Sequence, residues 1–193
     1  MKIGVLALQG AFIEHVAVLE RLGVEAREVR LSAELKGLDG LIIPGGESTS
    51  ILNLMHSYKL FEPLKEMAQN GFPIFGTCAG LICLAKGVHN SGNNGIETLS
   101  LMDIEVERNA FGRQVDSFET DLDIPVLGEK PFHAVFIRAP MIERVGQQAE
   151  TLAKLPEGTA VAAKQGKLLV AAFHPELGDD SRFHRYFLKL AAG

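Results

Sequence analysis

One cysteine of this chain lies in a setting that suits a nucleophile. Cys78 stands in the middle of Gly-Thr-Cys-Ala-Gly, residues 76–80. Glycines two positions before and after a nucleophile permit the sharp strand-to-helix turn called a nucleophile elbow. A helix beginning near Ala79 would place free N–H groups and the positive end of its dipole beside the sulfur, which favours thiolate over thiol. The competing interpretation is a buried cysteine that packs as a small hydrophobic residue.

A thiolate that attacks an acyl group also needs a proton shuttle, and His174 is the best candidate among six histidines. It follows the apolar run 168–173, as expected of a residue at a strand end. Glu176 lies two residues later and can orient the imidazole ring, while Pro175 restricts the backbone between them. The residues therefore favour acyl transfer by a Cys-His-Glu set, with a purely structural histidine as the alternative.

The second cysteine and the other histidines suggest no further chemistry. Cys83 falls on the same predicted helix as Cys78 and is expected to pack in the core. The histidines are scattered and do not form a cluster with the spacing of zinc ligands. We therefore expect no metal site and no cofactor.

Two other strand ends carry residues that could contact a ligand. In an open α/β sheet, ligands bind at the carboxyl ends of the strands. Gln9 and Gly10 follow one apolar run, and Gly45-Gly46-Glu47-Ser48 follows another. The second group could be an oxyanion hole, or an anion-binding loop in which Ser48 is only a helix N-cap. Neither group matches a dinucleotide or Walker pattern, so nucleotide binding has little support.

Strands alternate with helices over the first 87 residues. Apolar runs predict strands, and apolar residues at helical spacing followed by Gly23 or Gly71 predict helices that end at glycine. The pattern predicts an α/β fold with an open, mostly parallel sheet and helices on both faces. The predicted strands are 2–8, 24–30, 38–46 and 72–78, and the predicted helices are 11–23, 48–58, 60–71 and 79–87.

The second half of the chain has a different pattern. A polar loop at 89–95 precedes the mostly strand-like segments 102–124 and 133–140. Residues 159–177 predict an antiparallel hairpin that turns at Gln165-Gly166, and 181–193 predicts an amphipathic final helix. No repeat and no linker rich in proline, glycine or serine is visible, so one domain over residues 1–193 is expected.

Composition excludes several classes of function. The net charge of −5 provides no basic stripe for nucleic acid. No apolar stretch approaches the roughly 20 residues that span a bilayer, and the N-terminal apolar run is too short for a signal peptide. Two cysteines are too few for a disulfide scaffold. We expect a cytoplasmic protein that acts on a small molecule or a protein partner.

With Cys78, His174 and Glu176 in place, the sequence resembles the class I glutamine amidotransferases, which carry such a set on a flavodoxin-like sheet. It is most similar to the glutaminase subunits of pyridoxal 5'-phosphate (vitamin B6) synthase. Gly-Gly-Glu-Ser-Thr, Arg-Asn-Ala-Phe-Gly-Arg-Gln and Phe-Ile-Arg-Ala-Pro are the most specific motifs. The resemblance covers essentially the whole chain, through segments 4–15, 42–50, 75–85, 106–119, 136–140 and 171–177.

This resemblance implies roles for individual residues. Cys78 would attack the side-chain amide of L-glutamine, and His174, held by Glu176, would protonate the departing ammonia and then activate water against the thioester. The backbone N–H groups of Gly46 and Ala79 would stabilise the oxyanion. The implied glutamine pocket consists of Gly46, Glu47, Ser48, Arg108, Ile137 and Arg138.

The resemblance also implies a partner. Ammonia would pass into a separate synthase core subunit, in a multimeric complex, that builds pyridoxal 5'-phosphate from ribose 5-phosphate and glyceraldehyde 3-phosphate. Gln9 and Gly10 lie in the region linked to activation by docking. Our hypothesis is that docking orders the N–H group of Gly46.

Three alternatives remain at this stage. A glutaminase that feeds another synthase, such as that of histidine biosynthesis, is opposed by the two motifs that contain Arg108 and Arg138. Peptidases and deglycases of related cysteine-hydrolase folds generally place histidine directly after the nucleophile, where this chain has Ala79. A binding module that uses Gly-Gly-Glu-Ser as an anion site would not need Cys78, His174 and Glu176 together.

Overall fold

A computed structural model of the chain describes residues 1–89, 97–108 and 117–193. The polar loop predicted at 89–95 lies outside these ranges except for its first residue. Most of the motif Arg-Asn-Ala-Phe-Gly-Arg-Gln, from position 109 onward, and the middle of the strand-like segment 102–124 also lie outside them.

The described ranges contain twelve strands and five α-helices. The helices are α1 Phe12–Arg21, α2 Ser48–Ser57, α3 Phe61–Gln69, α4 Ala79–Leu84 and α5 Arg182–Ala192, with 3-10 turns at Ser32–Leu35 and Pro125–Leu127. The strands are β1 Lys2–Leu6, β2 Glu25–Val29, β3 Gly40–Ile43, β4 Ile74–Thr77, β5 Ala85–His89, β6 Met102–Glu107, β7 Ser117–Leu122, β8 Phe132–Ile137, β9 Met141–Val145, β10 Glu150–Lys154, β11 Ala160–Gln165 and β12 Leu168–Ala171.

The main sheet joins the two halves of the chain. Its strand order is β2-β1-β3-β4-β12-β11-β9-β6-β5, with β10 paired to β11. The strands from β2 to β12 are parallel to one another, and β11 then begins an antiparallel region. Strands β3, β4 and β12 are buried at every residue, as expected of parallel strands covered on both faces.

Helices cover both faces of the parallel region, as the sequence predicts. On one face, His15 of α1 contacts His184 of α5, and Phe75 of β4 packs against Phe187 of α5 with ring centroids 5.6 Å apart. On the other face, α4 approaches β3 so closely that a Cβ atom on Gly80 would lie 2.0 Å from the carbonyl oxygen of Ile43. Helices α2 and α3 lie on this second face, since α2 packs against α4 and α3 packs against α2.

The predicted C-terminal hairpin is confirmed. Gln165 of β11 pairs with Leu168 of β12, and Gly166 takes a φ of +56° at the turn. Because β12 also runs parallel to β4, the hairpin is part of the main sheet and places its outgoing end beside the end of β4. Strands β7 and β8 form a separate antiparallel pair.

The helix predicted at 79–87 is wrong in its last three residues. Helix α4 ends at Leu84, and Ala85–His89 forms β5, parallel to β6. The last helical carbonyl groups of Cys83 and Leu84 accept hydrogen bonds from the N–H groups of Leu99 and Leu101, at 2.9 and 3.0 Å. The C-terminal end of α4 is therefore fixed by hydrogen bonds from another segment, and the apolar residues of the helix itself do not indicate where it ends. Strands β9 and β10 also have no counterpart among the predicted elements.

In the parts of the chain that the structure describes, no helix has the length and apolar character needed to cross a bilayer.

Candidate active site

Cys78 lies at a strained turn between β4 and α4. Its φ of +48° is in the left-handed region, which costs a residue with a side chain about 1–3 kcal/mol. Cβ atoms on Gly76 and Gly80 would lie 2.5 Å and 2.0 Å from the carbonyl oxygens of Gly80 and Ile43. Glycine is therefore needed at both positions, and the predicted elbow geometry is present.

His174 lies directly across from this elbow, although it is distant in sequence. Its backbone N–H donates to the carbonyl of Val135 at 2.8 Å, which anchors the segment after β12 on β8. A Cβ atom on Gly45 would lie 2.6 Å from His174 Cε1 and 3.4 Å from Cys78 Cβ, so Gly45 borders both side chains. The structure thus brings the predicted nucleophile and the predicted proton shuttle together.

Glu176 completes the set. Its Oε1 atom lies 2.7 Å from His174 Nδ1, and its side chain is fully buried. Burial alone would lower the pKa of His174, but hydrogen bonds to Cys78 and Glu176 and the charges of both groups raise that pKa from 6.5 to about 10. Burial alone would raise the pKa of Glu176, yet the proximity of His15 and the hydrogen bond from His174 lower it. At neutral pH these shifts favour an imidazolium at His174 paired with the Glu176 carboxylate.

A cleft of about 500 Å³ opens in front of Cys78 and His174. Its lining includes every residue that the resemblance implies for glutamine binding and both residues of the implied activation region. Ser48 is 2% exposed, and its hydroxyl has no hydrogen-bond partner among the described residues. A buried hydroxyl that lines a cleft without a partner is available to a ligand.

The loop Gly45–Gly46–Glu47 (the oxyanion loop) is held by the segment that begins at Gln9. The N–H of Ala11 donates to the carbonyl of Gly45 at 3.0 Å, and the N–H of Glu47 donates to Gln9 Oε1 at 2.7 Å. Gly10, at φ +98°, passes so close that a Cβ atom there would overlap the Gly45 carbonyl. Because the Gly45 carbonyl and the Gly46 N–H belong to one planar trans peptide, the bond from Ala11 also sets the direction of that N–H.

Glu47, not Ser48, is the N-cap of α2. The Glu47 carboxylate accepts hydrogen bonds from the N–H groups of Thr49 and Ser50, at 3.0 and 2.7 Å. The interpretation of Ser48 as the cap is therefore wrong, because the longer glutamate side chain folds back over the first turn. Burial would raise the pKa of Glu47, but bonds from Ser50 and Thr49 lower it to about 2.

Arg108 is not a solvated surface charge. It lies at the end of β6, donates to Glu47 Oε1 at 2.9 Å and to Thr49 Oγ1 at 3.3 Å, and keeps 19% of its side chain exposed. These two bonds leave guanidinium N–H groups for a further anion. Thr49, which ends the motif Gly-Gly-Glu-Ser-Thr but was assigned no role from the sequence, therefore helps to hold Arg108.

Ile137 and Arg138 reach the cleft at the end of β8. The carbonyl oxygen of Ile137 lies 4.0 Å from Cys78 Sγ, and Arg138 has a φ of +43°. The second strained residue at the same cleft supports a functional reason for this backbone, because strain persists where the surroundings enforce it.

Cys83 is fully buried in the core, and burial raises the pKa of its thiol to about 12. The prediction that it packs in the core is confirmed. Two buried histidines that sequence reasoning missed, His15 and His184, lie behind Glu176. A histidine within an amphipathic helix gives no signal of a polar partner far away in the chain.

This fold is that of a class I glutamine amidotransferase. It has a parallel sheet with helices on both faces, a cysteine at a strand-to-helix elbow, and a His-Pro-Glu segment after the neighbouring strand. The model of the SNO glutamine amidotransferase family matches residues 5–192, and the chain belongs to this family. It is 59% identical over 192 residues to "Pyridoxal 5'-phosphate synthase subunit PdxT" of Dehalococcoides mccartyi, with 99% of this chain and 97% of the relative covered. The protein of the same name from Herpetosiphon aurantiacus is 60% identical over 190 residues, with 98% and 100% covered. A solved glutamine amidotransferase structure, 49% identical, superposes with a TM-score of 0.92 over 99% of both chains.

Proposed function

We propose that this chain is the glutaminase subunit of pyridoxal 5'-phosphate synthase. It hydrolyses L-glutamine to L-glutamate and ammonia, and the ammonia goes to a synthase subunit that makes pyridoxal 5'-phosphate from ribose 5-phosphate and glyceraldehyde 3-phosphate. The observation that carries the chemistry is the strained Cys78 beside a histidine that is bound to Glu176 at 2.7 Å. Relatives that bear the name of this synthase and match nearly the whole chain support the pathway.

The first half of the proposed reaction forms a thioester. Cys78 Sγ attacks the side-chain amide carbon of glutamine, and the carbonyl oxygen becomes an oxyanion. In our proposal the N–H groups of Gly46 and Ala79 stabilise this oxyanion, where one preorganised donor contributes about 3 kcal/mol. His174 then gives its proton to the amide nitrogen, the carbon–nitrogen bond breaks and ammonia leaves.

The second half hydrolyses the thioester. His174, now neutral, takes a proton from water, whose oxygen attacks the thioester carbon. The carbon–sulfur bond breaks, glutamate leaves, and the thiolate and imidazolium are restored. Glu176 keeps the imidazole oriented in both halves, because its Oε1 atom accepts from the Nδ1 side and leaves Nε2 for the reacting groups.

We assign glutamine recognition to Gly46, Glu47, Ser48, Arg108, Ile137 and Arg138. The unpartnered Ser48 hydroxyl and the free donors of Arg108 support binding of the polar end of the substrate, since a guanidinium fork suits an α-carboxylate. The Glu47 carboxylate is occupied by α2 and Arg108, so any contact of this residue with glutamine would use its backbone.

Docking of the synthase subunit is proposed to act through Gln9 and Gly10. These residues contact the oxyanion loop directly, so a partner that moves them would reorient the peptide that carries the Gly46 N–H. We further propose that residues 1–193 act as one glutaminase domain. The cytoplasmic location stays a prediction from the sequence.

The testing experiment measures ammonia release from L-glutamine by the chain alone and mixed with the synthase subunit, with the Cys78→Ala variant as control. Release that appears or rises with the partner and vanishes in the variant supports both chemistry and pathway. Fast release that is indifferent to the partner keeps the glutaminase and removes the synthase assignment. If neither the chain alone nor the mixture releases ammonia, the glutaminase assignment is refuted, and a non-catalytic binding module becomes the favoured function.

A further inference from the structure

Two buried histidines form a polar row behind the catalytic residues. His15 on α1 and His184 on α5 are both 0% exposed, and neither lines the cleft. His15 Nδ1 lies 2.9 Å from His184 Nε2, and His15 Nε2 lies 3.1 Å from Thr77 Oγ1 and 3.4 Å from Glu176 Oε2. Burying two imidazoles is costly unless their polar atoms are used. The function of these two histidines therefore depends on the protonation state and contacts of their ring nitrogens.

The protonation state of the row follows from burial. Burial lowers the pKa of His15, against a smaller opposing effect of Glu176, and lowers the pKa of His184 well below its ordinary value. Both rings are thus neutral at neutral pH, and each carries one N–H. The short contact between the rings needs one N–H and one lone pair, so only two arrangements are possible.

The unpartnered atoms of the row select one arrangement. If His15 Nδ1 donated to His184, the single N–H of His184 would be on Nδ1, which has no hydrogen-bond partner among the described residues. A lone pair of His15 would then face the Glu176 carboxylate. If His184 Nε2 donates instead, only a lone pair stays unpartnered, and His15 carries its hydrogen on Nε2. The second arrangement avoids both a buried orphan donor and a repulsive contact.

Glu176 has one carboxylate oxygen that lacks a hydrogen-bond donor among the described residues. One of its oxygens, Oε1, is bound to His174, whereas Oε2 has no hydrogen-bond partner in the described ranges. In the second arrangement the His15 Nε2–H donates to Thr77 Oγ1 at 3.1 Å, and Glu176 Oε2 lies 3.4 Å from the same nitrogen. At 3.4 Å the contact with Oε2 is long for a hydrogen bond and acts mainly as a dipole facing a charge.

We propose that His15 is a positioning residue for Glu176: its Nε2–H, fixed in that tautomer by His184, holds the carboxylate so that Oε1 stays aligned with His174. This inference rests on the proposed function, because it takes Glu176 as the group that orients the catalytic imidazole. A neutral donor suits this position, since a cation there would compete with the His174 imidazolium for the carboxylate charge.

Two amide substitutions separate the contacts of His15. Glutamine places its amide nitrogen near the position of Nε2, so His15→Gln keeps a donor toward Glu176. Asparagine places its amide near the position of Nδ1, so His15→Asn keeps a partner for His184 and loses the contact with Glu176. Both variants put an uncharged amide in the same buried place, and the thermal stability of each is measured so that a loss of folding is not taken for a loss of catalysis.

The test measures glutamine hydrolysis by each variant saturated with the synthase subunit. We expect His15→Asn to lower kcat about 10-fold or more, the usual effect of removing a group that orients a reacting residue, while KM stays within about twofold. His15→Gln should retain most of kcat. Val18→Ala, a cavity in the same helix away from Glu176, should lower thermal stability with kcat unchanged.

Three results would overturn the inference: wild-type kcat in His15→Asn, equal losses in the Asn and Gln variants, or an equal loss in Val18→Ala. If His15→Asn does not fold, the His15→Gln variant is compared with His184→Leu, which removes the donor to His15, and the same order of kcat is expected. Hydrolysis that persists in Cys78→Ala would instead refute the proposed function itself.

Discussion

The two sides of the catalytic cleft are built in different ways. On the nucleophile side, backbone atoms touch so closely at Gly76 and Gly80 that no Cβ atom fits, and His174 is anchored by buried groups. On the opposite side, Gly46 and Glu47 of the oxyanion loop are exposed, and the loop is held by two hydrogen bonds, from Ala11 and to Gln9, and by the close approach of Gly10 to the Gly45 carbonyl. The first side depends on packing inside the core, whereas the second depends on two hydrogen bonds and one close backbone contact near the surface.

This difference indicates where control of the reaction can act. A change on the nucleophile side must move the core, which costs several kcal/mol. A change in the oxyanion loop replaces hydrogen bonds worth about 1 kcal/mol each. Under the proposed function, a partner that docks at the surface would therefore switch oxyanion stabilisation on or off while Cys78 and His174 keep their geometry.

The largest effect is expected from adding a side chain at a closely packed glycine on the nucleophile side. In Gly80→Ala the new Cβ would lie 2.0 Å from the Ile43 carbonyl, so α4 must move away from β3. We expect a loss of about 4 kcal/mol or more in the free energy of unfolding and loss of glutamine hydrolysis. Chemical denaturation and ammonia release measure the two effects.

Gly37→Ala is the matched control. Gly37 has a φ of +78° and open space around its Cβ position, so only backbone strain of about 1–2 kcal/mol is expected, with activity kept. Equal stability losses in the two variants would show that close packing does not set the elbow.

The next largest effect is expected on the pKa of His174. Removing the sulfur in Cys78→Ala takes away one of the groups that raise the pKa of His174 to about 10, so the midpoint should fall toward 6.5. NMR titration of the His174 ring protons measures this change. An unchanged midpoint would mean that Cys78 and His174 do not interact in solution.

The same shift sets the direction of a stability change with pH. Because the folded protein holds the His174 proton more tightly than the unfolded chain, this stabilisation is complete below about 6.5 and is lost as pH rises through about 10. The wild type should therefore lose more stability than Cys78→Ala over that interval, as urea unfolding at several pH values would show.

The sequence predicts the nucleophile side better than the oxyanion side. Glycines around Cys78 and the short His-Pro-Glu segment encode local geometry, and the apolar run before each predicts that both lie at strand ends. The structure shows that these two strands, β4 and β12, are neighbours in the sheet. The C-terminal hairpin and the buried Cys83 were predicted for the same reason, since adjacent residues determine them.

The features that sequence reasoning missed depend on contacts between distant segments. The end of α4 at Leu84 is fixed by bonds from Leu99 and Leu101. The contact of Arg108 with the carboxylate of Glu47, which caps α2, joins residues 61 positions apart. The partnership of His15 with His184 joins the first and last helices. Residue patterns carry no signal for such pairs.

A moderate effect is expected from weakening the oxyanion loop. Gln9→Leu removes the acceptor of the Glu47 N–H, so the loop loses one of its two bonds. Turnover by the complex should fall about tenfold, which corresponds to a 1.4 kcal/mol loss in transition-state stabilisation. The rate of Cys78 alkylation by iodoacetamide should not change, because the nucleophile side is separate. A parallel fall in both rates would contradict the division of the cleft into two sides.

The smallest effect is expected from removing the hydrogen bond between Thr49 and Arg108. Thr49 supports Arg108 from the oxyanion side through a bond of 3.3 Å, which is near the limit for a hydrogen bond. Thr49→Val keeps the side-chain shape and removes the acceptor, while Glu47 still holds the guanidinium at 2.9 Å. We expect KM for glutamine to rise about twofold with kcat unchanged, because a weak bond of about 0.5 kcal/mol is lost. A large loss of kcat instead would mean that the Arg108 support reaches the reacting atoms, and that the oxyanion side is as tightly coupled as the nucleophile side.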